Sequence, residues 1–261
     1  MSSMKEKLAS LEKLLDIMDE LREKCPWDRE QTFESLRNLT IEETYELADA
    51  ILVKDPDNIK KELGDLLLHI VFYSKIASET GAFDIKDVAD SLAQKLIFRH
   101  PHVFADTDVK NSPDLVKRNW EELKIKEGNK SILGGVPSSL PAMIKANRIQ
   151  EKARAVGFDW DERSQVWEKV SEELDELKHE IDAMDKEKSE QEFGDLLFSV
   201  INAARLYGID PETALEKTNI KFIHRFNYLE SKTLKQGRKL CTLTPDEMNE
   251  IWEDAKRMEK N

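Results

Sequence analysis

Apolar residues recur with helical period along two stretches of the chain. In the first, Leu63, Leu66, Leu67, Ile70, Val71 and Ile76 follow the spacing of one helix face, and Leu68, Phe72 and Tyr73 fill the remaining side. In the second, Phe193, Leu196, Leu197, Val200, Ile201, Ala204 and Leu206 repeat the arrangement. A helix that is apolar nearly all round has to be covered on most sides, so both belong inside a bundle or a subunit interface. Another helical segment precedes each, at 40–53 and 165–183. Between the first two segments, Asp55-Pro56-Asp57 reads as an N-cap, a proline at the first helical position and an early acid. The second break, at 185–189, is marked only by polar residues. Short breaks between long helices make antiparallel neighbours.

Further helices are expected at 85–99 and 113–126 in the first half, and at 211–229 and 245–260 in the second. No long β-branched alternation occurs, so the expected fold class is all-α. The stretch 127–141 contains Gly134-Gly135, Pro137, two serines and Pro141, and is the best linker. It divides the chain into tandem helical-bundle domains at 1–126 and 142–261.

Repetition extends to the polar residues. Glu62-Leu63-Gly64-Asp65-Leu66-Leu67 recurs as Glu192-Phe193-Gly194-Asp195-Leu196-Leu197, 130 positions later. At the same offset, Glu42-Glu43-Thr44-Tyr45-Glu46 recurs as Glu172-Glu173-Leu174-Asp175-Glu176. A single acidic pair three residues apart carries little information, because 53 acidic positions in 261 produce roughly ten such pairs by chance. Glu43 also stands at capping-box spacing from Thr40. Two blocks sharing one offset, however, indicate a duplicated domain.

The spacing has a geometric consequence. Glu43 and Asp65 are symmetric about position 54, as are Glu46 and Glu62, and Glu173/Asp195 and Glu176/Glu192 are symmetric about 184. Both centres fall at or beside an expected turn, so each symmetric pair lies level across an antiparallel helix pair. Residues three apart share a helix face, and adjacent axes lie about 8–10 Å apart. Four carboxylates are therefore expected to converge in each half. Oxygen-only ligands suit Mg²⁺, with Mn²⁺ as an alternative, rather than zinc. Gly64 and Gly194 each cost a helix about 1 kcal/mol relative to Ala, and close helix approach would account for them.

Charge narrows the partners. The chain carries a net charge of −13, and no basic stripe suitable for duplex nucleic acid is visible. Acidity is compatible with a phosphorylated ligand if a divalent cation stands between carboxylate and phosphate. The candidate cations repeat as well: Lys95 and Arg99 match Lys221 and Arg225, while Trp120 and Lys124 match Trp252 and Lys256. Lys and Arg would hold phosphate charge, and tryptophan can stack on a base. Cys25 and Cys241 fit no disulfide framework, and the N-terminus has no apolar leader. The longest near-apolar run is too short to cross a bilayer. A cytoplasmic setting without membrane attachment is expected.

These features together resemble the MazG family of all-helical nucleotide pyrophosphohydrolases, which is related to dimeric dUTPases. Besides the acidic blocks, the resemblance includes Cys25-Pro26-Trp27-Asp28, His100-Pro101-His102-Val103-Phe104, Ser139-Leu140-Pro141-Ala142 and Gly157-Phe158-Asp159-Trp160. It implies Mg²⁺-dependent hydrolysis of nucleoside triphosphates between the α- and β-phosphates, broad base tolerance and homodimerisation. It places Mg²⁺ on Glu173, Glu176, Glu192 and Asp195, and nucleotide on Lys169, Lys188, Lys221, Arg225, Trp252 and Lys256. Glu172, adjacent to a ligand but turned about 100° round the helix, is the candidate for orienting the attacking water.

The repeat suggests a second, weaker site in the first half. Its metal ligands would be Glu43, Glu46, Glu62 and Asp65, with Lys95, Arg99, Trp120 and Lys124 for nucleotide. Leu39 and Asn58 stand where the second half has Lys169 and Lys188, so this half lacks two cations. Lys60 and Lys61 are nearby but in a different register.

Two rival readings account for the sequence less well. A di-iron bundle needs Glu-x-x-His on two helices; Glu176 and His179 supply one, but Asp49 stands at the repeat of His179. A helical scaffold with a decayed carboxylate site explains the helices and leaves the duplicated acids unexplained. The proline between His100 and His102 favours a post-helix turn over a metal site.

Overall fold

A computed structural model describes residues 2–105, 115–116, 123, 131–160, 162–235 and 237–259. Contacts divide the chain into two compact units, Met1–Ser112 and Pro113–Asn261. The described residues contain α-helices, two single 3₁₀ turns and no strand. None of their helices is long and apolar enough to cross a membrane.

The first unit contains α1 (Met4–Lys24), α2 (Pro26–Glu30), α3 (Phe33–Val53), α4 (Pro56–Glu79), α5 (Ile85–Arg99) and the one-turn α6 (Pro101–Phe104). Helix α1 was not anticipated from the sequence. It begins at a Ser3–Glu6 capping box and buries Met18. Met18, Leu36, Val71 and Phe72 form the core, with Leu14, Leu15, Leu39, Leu67, Leu68, Tyr73 and Ile76 packed around them. Each fully buried side chain of this kind contributes about 1.5–3 kcal/mol.

Helix α3 starts seven residues before the expected 40, at a Thr32–Ser35 capping box. Thr40 is therefore mid-helix and not a cap. Its Oγ1 donates to the Leu36 carbonyl or meets His69 Nδ1 at 2.8 Å and the Tyr73 hydroxyl at 2.7 Å. The Asp55 cap forms as expected, accepting from the Asp57 and Asn58 amides. Arg22 anchors the loop around Cys25-Pro26-Trp27-Asp28: it donates to the Asp28 and Gln31 carbonyls and pairs with Glu79 at 2.7 Å.

The second unit contains α7 (Ala142–Ala155), α8 (Gln165–Asp182), α9 (Lys186–Leu206), α10 (Pro211–Lys235) and α11 (Pro245–Met258). Helix α9 packs on α7, α8 and α10, and α10 packs on α11. Val166, Leu177, Ile201, Ala203, Leu229, Leu243 and Ala255 are its buried apolar residues. Helix α7 was not anticipated, and α9 begins inside the break expected at 185–189 because the Asp185 side chain caps the Lys188 amide. Asp159 of the Gly157-Phe158-Asp159-Trp160 motif ties its loop to α9 through a bidentate pair with Arg205, at 2.5 and 3.3 Å. The expected helix at 113–126 and the start of the expected linker lie largely outside the described residues. His100 caps α5, with Nδ1 2.7 Å from the Leu96 carbonyl, so the turn reading of that segment holds.

Helix α4 is covered on most sides over 65–77, where every residue but Ile70 is buried or half-buried, whereas α9 keeps more of its apolar residues exposed. Leu63 is 53% exposed and Ile70 48% on α4, and Phe193 is 50% exposed and Leu197 56% on α9.

Candidate metal and nucleotide site

In each unit the acidic blocks lie on two antiparallel, consecutive helices, α3 with α4 and α8 with α9. Glu43, Glu62 and Asp65 each offer one oxygen, all within 4.8 Å of one another, and Glu173, Glu176 and Glu192 do the same. Three carboxylates converge in each half, where the sequence led us to expect four. Glu46 stands outside the first group and Asp195, which is exposed, outside the second. Residues three apart on a helix differ by about 60° in direction, so modest rotation decides which acid faces inward.

Burial distributes the cost differently in the two halves. In the first, Glu62 on α4 is the buried member at 1% exposure; in the second, it is Glu173 on α8 at 6%. Burial, then the charges of Asp65, Glu46 and Glu62, push the Glu43 carboxyl above its ordinary range. Partial desolvation followed by Glu173 does the same to Glu176. Such mutual repulsion is relieved by a cation.

Two lysines serve the groups from different positions. Lys169 Nζ lies 2.7 Å from Glu173 and 3.1 Å from Glu172, and these bonds hold the ammonium above its ordinary range. In the first half, Lys61 Nζ lies 2.9 Å from Glu62 Oε1, 3.8 Å from Asp65 and 4.0 Å from Glu46. Sequence reasoning noted Lys61 but left it out of the site, because a residue adjacent to Glu62 points in another direction and only its long side chain brings it back. Lys188 sits at the turn, 3.7 Å from both Glu180 and Asp185, rather than beside Glu192.

The donor set fits a hard divalent cation, since every converging ligand atom is a carboxylate oxygen. A second observation supports this fit: Glu62 Oε2 is buried with no hydrogen-bond partner. A buried carboxylate oxygen without a partner is costly.

An open cleft of about 560 Å³ runs beside the second group, lined by Glu172, Asp175, Glu176, His179, Glu180 and Glu192. Glu172 thus faces the cleft, although it is not among the converging oxygens. His179 lines the same cleft outside the ligand group, which does not favour the di-iron reading.

On α10 and α11, the Arg225 guanidinium carbon lies 5.9 Å from the Trp252 ring centre and pairs with Glu259 at 2.6 Å. Phe222, which the sequence reading missed, stacks near Phe226 and meets Trp252 at 5.1 Å. Its signal was the spacing of four between Phe222 and Phe226 next to Lys221. Lys256 pairs with Glu253 at 2.5 Å, and Lys221 precedes Arg225 by one turn of α10. In the first half, Lys95 lines a cavity of about 610 Å³ with Phe83, Asp87, Val88, Ser91 and Leu92. Arg99 closes α5; Trp120 and Lys124 lie outside the described residues.

Two antiparallel helix pairs, each presenting carboxylates from facing turns, define a tandem all-helical protein with a repeated acidic centre. Residues 31–104 and 162–229 match the MazG nucleotide pyrophosphohydrolase domain. The chain belongs to the MazG family. It is similar to the nucleoside triphosphate pyrophosphohydrolase/pyrophosphatase MazG of Thermotoga maritima, 47% identical over 258 residues covering 97% of this chain and 98% of the relative. It is also similar to the nucleoside triphosphate pyrophosphohydrolase of Escherichia coli, 43% identical with 95% and 98% covered. A Mycobacterium tuberculosis relative of the same description is 40% identical over 153 residues, covering 56% of this chain and 46% of the relative.

Proposed function

We propose that the chain hydrolyses nucleoside triphosphates to monophosphate and pyrophosphate with broad base tolerance, using Mg²⁺ or Mn²⁺ held chiefly in the second half. The observation that carries this reading is the convergence of Glu173, Glu176 and Glu192 beside a cleft, in a chain of this family. Asp195, one turn beyond, would complete the ligand set by rotating inward. A divalent cation there would supply charge neutralisation for the polyphosphate.

The chain's own residues divide the remaining work. Glu172, which lines the cleft, would orient an attacking water and take its proton. Lys169 holds Glu173 and Glu172 in position through two ion pairs. Arg225, Lys221, Lys256 and Lys188 are the cations proposed to meet phosphate oxygens. Trp252, with Phe222 behind it, offers a flat apolar surface that any base can stack on. That contact reads the π-face rather than the base edge, which agrees with broad tolerance.

A homodimer is part of the reading, supported by the exposed apolar faces of α4 and α9. A cytoplasmic setting is proposed as well, supported by Cys25 and Cys241 both being free thiols. Duplex nucleic acid is not a proposed partner, given the net charge of −13.

The test is a panel of nucleoside triphosphates with phosphate and pyrophosphate measured separately. Pyrophosphate equimolar with monophosphate, abolished by chelation and restored by Mg²⁺, is expected. Orthophosphate release, or no turnover of any triphosphate, would overturn the reading and return the scaffold alternative.

A further inference from the structure

The two halves place their lysines differently, and the difference falls on the cation site itself. Lys61 has Gln191 at its repeat position, and Lys169 has Leu39 at its own. Lys169 contacts Glu172 and Glu173 on its own helix, and among the described residues no ammonium lies within 4.0 Å of Glu176 or Glu192. Lys61 instead reaches three of the four acids of the first half, Glu46, Glu62 and Asp65. It neutralises Glu62 Oε1 yet leaves Oε2 of the same buried carboxylate unpartnered. One monovalent charge thus serves a group with the oxygens for a divalent ion, incompletely.

We propose that Lys61 is a tethered cation that occupies the first-half carboxylate group in competition with divalent metal, making this half the weaker metal site. The inference rests on reading the carboxylate groups as divalent-cation sites. A metal entering the first half has to displace the ammonium, because the two positive charges would share the same oxygens. The Lys61 side chain is 61% exposed, so it can swing into solvent; the device is a competitor and not a lock. The second half needs no displacement of this kind at Glu176 and Glu192, since glutamine replaces the lysine. Removing the Lys61 charge should tighten metal binding in the first half by about tenfold or more, given that like charges at such range repel by several times RT.

The experiment is a titration of the full chain with Mn²⁺ alone, followed by electron paramagnetic resonance, for the parent and for Lys61→Gln. Glu192→Gln in each background identifies the second-half site by its loss. Lys61→Gln should half-fill the first-half site at about tenfold lower free Mn²⁺ than the parent, with the same number of ions bound at saturation, and Lys61→Arg should behave like the parent. Equal or weaker binding by Lys61→Gln would overturn the proposal. So would binding by Lys61→Arg as tight as that of Lys61→Gln, because the arginine variant keeps the charge. If Glu192→Gln removes no site from the parent, the second-half metal reading fails, separately from the role of Lys61. Because Lys61 is exposed, the variant should fold, and circular dichroism at the same concentrations checks this.

Discussion

Lys54 and Met184, 130 positions apart, both adopt the left-handed conformation, with φ of 58° and 56°. They are the described non-glycine residues with positive φ. Each ends the first helix of its acidic pair in the same way. Lys54 and Met184 donate to the carbonyls of Ile51 and Ile181, and the next residues, Asp55 and Asp185, donate to Ala50 and Glu180. The duplication therefore extends to the turn that sets the two acidic helices level. This is a helix C-terminal motif that usually employs glycine.

A side chain in this conformation costs about 1–2 kcal/mol, part of which glycine returns as unfolded-state entropy. Lys54→Gly and Met184→Gly should each stabilise the protein by about 0.5–1 kcal/mol, read from urea midpoints at unchanged slope. Loss of stability in both would show that the native side chains make compensating contacts.

Gly64 and Gly194 invite a different substitution. An added Cβ at either meets nothing within 4 Å, so close helix packing within the chain does not explain them. Gly64→Ala and Gly194→Ala should each raise stability by about 0.5–1 kcal/mol through helix propensity. If Gly194→Ala also lowers pyrophosphate release, the open space beside Asp195 is needed by substrate. Destabilisation that depends on protein concentration would assign the space to a second copy.

Unequal halves lead to a paired mutagenesis prediction. Glu176 belongs to the converging oxygens of the second half, whereas Glu46 stands outside those of the first and faces Lys61. Glu176→Gln should lower turnover by about 100-fold or more, since charge stabilisation worth several kcal/mol is lost. Glu46→Gln should lower it only a few-fold, within about 1 kcal/mol. Steady-state pyrophosphate assays decide, and a larger loss from Glu46→Gln would reverse the assignment of the stronger site.

Acid response can be tested away from the acidic groups. The Glu247 carboxylate accepts from Arg238 at 2.7 Å and from the Thr244 amide at 2.8 Å, and together these bonds lower it from 4.5 to about 2. The folded value lies below the unfolded one, so the stabilisation is fully present above about 4.5 and is lost as pH falls toward about 2. Glu247→Gln should lower the thermal midpoint at neutral pH, and the gap should close across that window. A gap that stays constant down to pH of about 2 would remove Glu247 from the acid response.

Local physics is written along the chain, and the sequence alone determined what depends on it. Asp55 and Pro56 specify a helix start because a capping oxygen and a ring without an N–H suit the first turn. The 130-residue offset, the all-helical class and the placement of acids on facing turns follow from period and symmetry. Tertiary structure decided the rest. Which three oxygens converge depends on helix rotation, set by distant packing such as Leu36 against Val71 or Val166 and Leu177 in the second unit. A rotation too small to disturb that packing is enough to leave Glu46 or Asp195 outside. The sequence puts Lys61 near the acids but in another register, because helical register describes where a Cβ points, while a flexible four-carbon stem decides where the ammonium arrives. Likewise the emptiness around Gly64 and Gly194 is a property of the neighbouring surfaces, which no residue in either block encodes by itself.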